Sequence, residues 1–313
     1  MTPAQGDGAL LSALFVYRYL TSGQLARRHR RSNQVVRRLI RERLRPAGYV
    51  INLQRQPTEE AAYVLGPEGF AFVAHELGCG VADIPASRSV STIRGFFWKH
   101  TVLVNNVRIS FDLATEGPDS PVRIQRTVPE WELSPASHRR APHHERFVLS
   151  ERLKGPDGVT HSHRPDCLFL MYATAAGPQQ LVAVFVEADR NTEAMRRIRQ
   201  KYEAYWLYWW RRRFEDAFEA VAMRVLFVLD DVQDRRRIHS MQEELRVLVG
   251  RKGNAAAADA FRRCFRFARK RDLDEKTVLA QPIWWDADDQ PRHFFSQPAH
   301  PQPPLPVSAE VTA

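Results

Sequence analysis

Cysteine is scarce in this chain of 313 residues: Cys79, Cys167 and Cys264 are far apart and odd in number. No two stand in a CxxC spacing, which argues against a disulfide framework and against a cysteine zinc site. No apolar run approaches the about 18 residues that a membrane span needs. The opening stretch MTPAQGDGALLSALFVYRYL has no positive segment ahead of its apolar run, so it reads as a first helix and not as a secretory signal. A soluble, cytoplasmic protein with no membrane partner is expected. Lysine is rare as well, at six of 46 basic residues, so the positive charge is almost wholly arginine.

What the chain does have is apolar content and positive charge. Hydrophobic residues make up 44%, enough for a sizeable core, and the length predicts two domains. The net charge is +10 and the pI about 9.9, which favours a polyanionic partner. Arginine frequency can follow the base composition of a genome, so placement carries more weight than number. Between Arg27 and Arg55 there are ten arginines against a single acid, Glu42, close to the whole net charge of the protein.

That basic segment sits in a recognisable order of elements. Leu10, Leu11, Leu14, Phe15 and Tyr17 predict a helix over 9–20 by their spacing. Thr21 or Ser22 can cap a second helix through Gln24 and Leu25. Ser32 or Asn33 caps a third, NQVVRRLIRERL, with Val35, Val36, Leu39, Ile40 and Leu44 inward and Pro46 and Gly48 ending it. Strands over 49–54 and 61–66 and a helix PEGFAFVAHELG complete the order of a winged helix-turn-helix. In such a unit the third helix enters the major groove and flanking basic residues meet phosphates. Asn33, Gln34, Arg37, Arg38 and Arg41 are the expected groove-side residues, with Arg27, Arg28 and Arg45 beside them. The alternative is a solvated arginine face on an ordinary helix.

Residues 81–91 read as a linker between a domain over 1–80 and a second over 92–288, and the proline-rich 289–313 as a disordered tail. A long amphipathic helix is predicted over 92–115, with Phe97, Thr101, Val104, Val107, Phe111 and Leu113 on its apolar side and His100 and Asn105 as unusual polar members. A strand follows at VRIQRTV. His138, His143, His144, His161 and His163 lie in a proline-rich stretch without the spacing of a helical zinc site, and read as solvated loop histidines. Further on, VAMRVLFVLDD predicts a strand, DRRRIHSMQEELRVLVG a helix, and TVLAQPIWW a last strand. The class is α/β (α+β), a mixed sheet covered by helices.

The chemistry concentrates between Arg164 and Tyr205. RPDCLFLMY and LVAVFVEADRN are two apolar strands, each with a carboxylate at one end. Pairing Asp166 with Glu187 also pairs Tyr172 with Leu181 and leaves 173–180, with Gly177 and Pro178, as the loop. Residues 166, 168 and 170 then share a face with 187, 185 and 183. Like charges so placed repel unless a cation lies between them, and a divalent magnesium or manganese ion held by Asp166 and Glu187 answers that need. On the next helix Met195, Ile198, Tyr202, Tyr205 and Trp209 form one stripe, and Lys201 falls about 60° from its centre. From there its ammonium can reach the sheet end and stabilise charge on a phosphate. Trp206, Trp209 and Trp210 could stack bases, but aromatic residues at helical spacing read first as core.

Pro165-Asp166 followed by Glu187 resembles the core of PD-(D/E)xK nucleases. The winged helix, WKHTVLVNN, the RPD run, VEADRNTE and KYEAY together resemble the replication-relaxation family, over roughly residues 9–285. That resemblance implies a restriction-endonuclease-like sheet behind a winged helix, and a role in plasmid or mobile-element replication and DNA relaxation. It also implies double-stranded DNA as partner, alongside a relaxase or replication initiator, with a homodimer left open. One departure stands out. The position two after the second acid, usually lysine, is Asp189, which cannot supply positive charge. Asp189 could act as a third carboxylate or pair with Arg190 or Arg196, and Lys201 takes the place of the lysine that some of these nucleases carry on the following helix. Gln200 and Tyr205 match the Gln-and-Tyr helix motif of some exonucleases of this fold, implying substrate or metal-water contacts. Two readings follow: a metal-dependent nuclease acting by hydrolysis or nicking, or an inactive DNA-binding accessory or transcriptional regulator that recruits a relaxase or replication protein.

Overall fold

The computed structural model describes residues 6–53, 60–84, 98–135, 142, 145–174, 180–191, 193–230 and 234–295. Arg55, Phe97, His138, His143, His144, most of the expected linker and of the loop over 173–180, and the tail beyond 295 lie outside these residues. The chain divides into two compact units, Met1–Ile109 and Ser110–Ala313.

The first unit begins with α1 (Asp7–Tyr17), β1 (Leu20–Thr21) and α2 (Ser22–Arg28). Thr21 and Gln24 form the reciprocal cap that satisfies the free amides at the start of α2: the Thr21 hydroxyl accepts from the Gln24 amide at 3.1 Å, and the Gln24 carbonyl oxygen accepts from the Thr21 amide at 3.1 Å. Ser32 caps α3 (Asn33–Leu39) in the simpler way, accepting from Val35 N at 3.3 Å. The helix continues through a wider turn, Ile40–Leu44, and stops where Gly48 adopts φ +75°. Strands β2 (Val50–Leu53) and β3 (Ala62–Leu65) follow, then α4 (Pro67–Glu76), and the sheet order is β1-β3-β2, all antiparallel. Val36, Ile40 and Leu44 are buried one above the other, as expected, but Val35 is 40% exposed. The buried stripe steps by four from Val36 and leaves Val35 on the solvent side.

Helix α5 (Trp98–Thr115) shows why the division does not fall at 81–91. Asn105 donates to the carbonyls of Tyr17 (3.2 Å) and Tyr19 (2.8 Å), Gln24 donates to Val102 O at 2.8 Å, and Arg108 donates to Val16 O at 3.3 Å. Asn105 is fully buried, and these bonds satisfy carbonyls at the turn after α1. The early turns of α5 therefore belong to the first unit, which corrects the expected boundary.

The second unit holds a seven-stranded mixed sheet in the order β12-β11-β10-β9-β8-β7-β4. Its strands are β4 (Val122–Pro129), β7 (Cys167–Ala173), β8 (Val182–Asp189), β9 (Ala222–Leu229), β10 (Phe265–Arg269), β11 (Trp284–Trp285) and β12 (Pro291–Arg292). β8, β9 and β10 run parallel; the remaining neighbours are antiparallel. A central parallel strand is covered on both faces, and all eight residues of β9 are buried. Helices α6 (Met195–Trp210) and α8 (Asp234–Gly250) cover one face over Leu168, Phe185, Val225 and Phe267, with α7 (Arg213–Phe218) and α9 (Ala255–Arg262) beside them. Trp206 and Trp209 are in this core, against Phe261, as their helical spacing implies.

Two expectations are corrected here. Phe294 is fully buried, its ring 5.1 Å from Phe111 and 5.7 Å from Trp284, so the folded unit runs past residue 288. His161 and His163 lie in a hairpin of β5 (Glu151–Lys154) and β6 (Thr160–His163), not in a solvated loop. His163 is buried, stacked on Tyr208 at 4.0 Å and edge-on to Tyr205 at 4.7 Å. A ring with an apolar body packs well there, and burial pushes its pKa down to about 3, so it is neutral.

Candidate functional site

The site grows out of the β7–β8 hairpin. Cys167 pairs with Val186, Leu168 with Phe185 and Met171 with Val182, the register that sets Asp166 opposite Glu187. Asp166 is tied to the peptide groups on both sides of Glu187: its N–H donates to Val186 O at 3.0 Å and its carboxylate accepts from Ala188 N at 2.8 Å. Alternation then puts Leu168, Leu170, Ala183 and Phe185 under α6, with the two carboxylates at the end of the same face.

Helix α6 brings the other groups. The Lys201 ammonium donates to Glu187 Oε2 at 2.8 Å, and the Tyr205 hydroxyl donates to Glu187 Oε1 at 2.8 Å. Four residues apart on a helix, Lys201 and Tyr205 stand on one side, one turn from each other. Lys201 also lies 3.0 Å from Glu193, on the segment between β8 and α6. Glu187 is 2% exposed, whereas a quarter of the Lys201 side chain reaches solvent. Burial pushes the Glu187 carboxyl up to about 7; the Lys201 cation opposes that shift and the Asp166 charge adds to it. Burial alone would lower Lys201, but the carboxylates of Glu187, Asp166 and Glu193 outweigh it and hold the ammonium protonated. Glu187 is thus raised beside a charged Lys201, because the lysine shares its charge with three carboxylates and keeps partial access to water.

Asp189 and Gln200 stand apart. Asp189, 3% exposed, accepts from Arg237 Nε at 2.9 Å and from Asn191 N at 2.8 Å. Its partner is thus Arg237 of α8, not Arg190 or Arg196. Arg237 also donates to Glu193 O at 2.5 Å, which fastens the segment leading into α6. Gln200 is exposed, about 100° round the helix from Lys201. Glu193 and Arg237 carried no local sequence signal, since both act through contacts made only in the folded unit.

Among the described residues, no group of three or more histidine, cysteine, aspartate or glutamate side chains is arranged to hold a metal ion. The Asp166–Glu187 pair nonetheless has donors that suit magnesium or manganese, hard ions that take one or two carboxylates and fill their other positions with water and phosphate oxygens.

In the first unit, Asn33, Gln34, Arg37, Arg38, Arg41 and Arg45 are all exposed, and Arg27 and Arg28 half-buried. Residues 34, 37, 38, 41 and 45 share one side of the helix and its continuation. Arg37 donates to the Ser22 hydroxyl at 3.2 Å and Arg41 pairs with Glu42 at 2.7 Å. Arg43 instead bonds the buried Asp7 at 2.6 Å, a structural tie. Burial, with the charges of Arg28 and Arg31 adding, pushes His29 down to about 4. No described helix is long and apolar enough to cross a membrane.

A family model described as replication-relaxation matches residues 11–221, more than half of the chain. The matched span includes the arginine face, Asp166, Glu187, Lys201 and Tyr205. No curated protein and no solved structure matches. This chain belongs to the replication-relaxation family.

Proposed function

We propose that this protein serves the replication or relaxation of a plasmid or other mobile element by binding double-stranded DNA through its first unit and hydrolysing or nicking a phosphodiester at Asp166, Glu187 and Lys201. The observation that carries the reading is the convergence of Lys201 and Tyr205 on Glu187, beside Asp166, at the end of one strand face. A helix–strand–helix–helix–hairpin–helix order suits a winged helix-turn-helix, and the exposed arginine side suits contact with phosphates.

Magnesium or manganese, held by Asp166 and Glu187, would supply electrophilic activation of the phosphate. The protein's own groups do the rest. Asp166, fixed by the backbone on either side of Glu187, holds its carboxylate in place before any ligand arrives. Tyr205 orients the Glu187 carboxylate. Lys201, whose ammonium stands 2.8 Å from Glu187 Oε2 and keeps partial access to solvent, would offer its positive charge to the negative charge that builds on the phosphate oxygens.

The test is nicking of supercoiled plasmid with and without magnesium or manganese. Wild type should cut only with metal. Asp166→Asn, which keeps the acceptor for Ala188 N, should lose at least 100-fold; full activity in that variant would refute the assignment. Duplex binding should weaken in Arg37→Ala/Arg38→Ala. The slope of log affinity against log salt should fall by about 2 if each arginine meets one phosphate, since each contact contributes roughly 0.9.

A second reading has one observation in its favour: both oxygens of Glu187 already accept hydrogen bonds, from Lys201 and Tyr205. In that reading the cluster is a structural clasp, and the protein is a DNA-binding accessory or regulator that recruits a relaxase or replication initiator. Salt-sensitive duplex binding with no metal-dependent nicking would select it.

A further inference from the structure

Beside α6, away from the carboxylates, a cavity of about 530 Å³ opens between the β5–β6 hairpin, α7 and the segment at 145–150. That volume is in the range of small-ligand sites. Its floor is Tyr208, His163 and Phe185, with Phe147 and Phe218 on the walls. The floor is uncharged and aromatic: Tyr208 lies flat on His163, with Phe185 edge-on to Tyr208 at 5.6 Å.

Tyr208 differs from the other two tyrosines of α6. Tyr202 donates to Met241 O and Tyr205 donates to Glu187. Tyr208 is 3% exposed and its hydroxyl makes no hydrogen bond among the described residues, while Nε2 of His163, stacked on it and lining the same cavity, is buried with no hydrogen-bond partner. Burial and the nearby Glu151 carboxylate keep that hydroxyl protonated, so it is both donor and acceptor. A buried polar group without a partner is costly unless a ligand or water completes it.

The rim adds charge. Arg152 lines the mouth and, with Lys154 two residues on, stands exposed on one face of β5. Neither has an ion pair among the described residues. Glu151, by contrast, is taken by Arg213 at 2.8 Å. An aromatic slot with one hydroxyl at its base, one free cation at its lip in Arg152 and a second, Lys154, two residues further along the same strand face matches one nucleotide: a flat heterocycle with edge donors and acceptors, joined to phosphates.

We propose that this cavity receives one unstacked nucleobase of a single DNA strand, with the adjoining phosphates on Arg152 and Lys154. The inference rests on DNA being the partner, as proposed above, but not on cleavage. It gives the second unit a contact to melted or nicked DNA that duplex cannot make, because a base inside a duplex is stacked on both faces.

The experiment uses the full chain and a 15-nucleotide thymidine oligonucleotide carrying one 2-aminopurine, alone and annealed to its complement. A saturable change in 2-aminopurine emission is expected with the single strand. Ala217→Trp, on the exposed edge of α7 at the cavity mouth, should weaken single-strand binding at least ten-fold. Tyr208→Phe, which keeps the ring stack, should weaken it about three- to ten-fold, and Arg152→Ala/Lys154→Ala should flatten its salt dependence. Duplex binding and plasmid nicking should be unchanged in all of them. Wild type with no single-strand response overturns the cavity assignment, as does equal single-strand affinity in Ala217→Trp and wild type, or an equal loss on duplex. Loss of duplex binding by wild type overturns the proposed function instead.

Discussion

The Glu187–Lys201 contact makes opposite predictions depending on whether burial or ion pairing dominates, and Glu187→Gln separates them. A carboxyl raised from its ordinary 4.5 to about 7 keeps its proton in the folded state over a range where the unfolded chain has lost it. Folded stability therefore contains a contribution that is complete below pH 4.5 and is lost as the pH rises to 7. The difference between 4.5 and about 7 corresponds to about 3 kcal/mol. Glutamine resembles the protonated acid and does not titrate. The variant should match wild type near pH 4.5 and exceed it by about 3 kcal/mol at pH 8. Urea unfolding followed by tryptophan fluorescence at pH 4.5, 6 and 8 measures this, and other titrating groups cancel in the difference. If the ion pair dominated, Glu187 would be depressed and the variant would instead fall below wild type as the pH rises. That result would refute the account of a buried, raised Glu187.

Arg237→Leu should destabilise the second unit by roughly 3–5 kcal/mol, the usual penalty for leaving a buried charge alone, because Asp189 is 3% exposed and would lose its cation. Arg237→Leu/Asp189→Asn should recover most of that in thermal unfolding; no recovery would mean that Arg237 acts through Glu193 O and not through Asp189. Tyr205→Phe removes the donor at Glu187 Oε1, worth about 1.5–3 kcal/mol to the charged carboxylate. Its nicking rate should fall more at pH 7 than at pH 8.5, since Glu187 then needs a higher pH to ionise; an equal loss at both would assign the hydroxyl a purely structural role.

Periodicity carried the parts of this site that depend on short-range geometry. The alternation of Leu168 and Leu170 with Ala183 and Phe185 sufficed to set Asp166 across from Glu187. The 100° step of a helix sufficed to put Lys201 at the edge of the α6 stripe, within reach of the sheet end. Contacts between distant segments left no such trace. Arg237 meets Asp189 across 48 positions, and nothing in DRRRIHSMQ distinguishes it from its two arginine neighbours. The burial of His163 leaves no mark in the sequence, because a four-residue strand just ahead of a proline is too short for alternation to show. Phe294 escapes sequence patterning because only one of two adjacent phenylalanines in an otherwise polar, proline-rich stretch turns inward. Val35 shows the limit of helical patterning at the first turn, where two adjacent valines compete for one inward place.

The β7–β8 register also predicts which length changes the family can tolerate. Strand side chains alternate, so losing one residue between Val182 and Val186 would send Glu187 to the face that holds Val184 and Val186, away from Lys201 and Tyr205, while still leaving an apolar strand that pairs. The hairpin would fold and the carboxylates would part. Between β7 and β8 the same deletion alters only the connection. If Asp166 and Glu187 act as proposed, relatives that share the activity should vary in length between those strands and not within them, and an odd-numbered change inside β8 should leave the scaffold without the paired carboxylates.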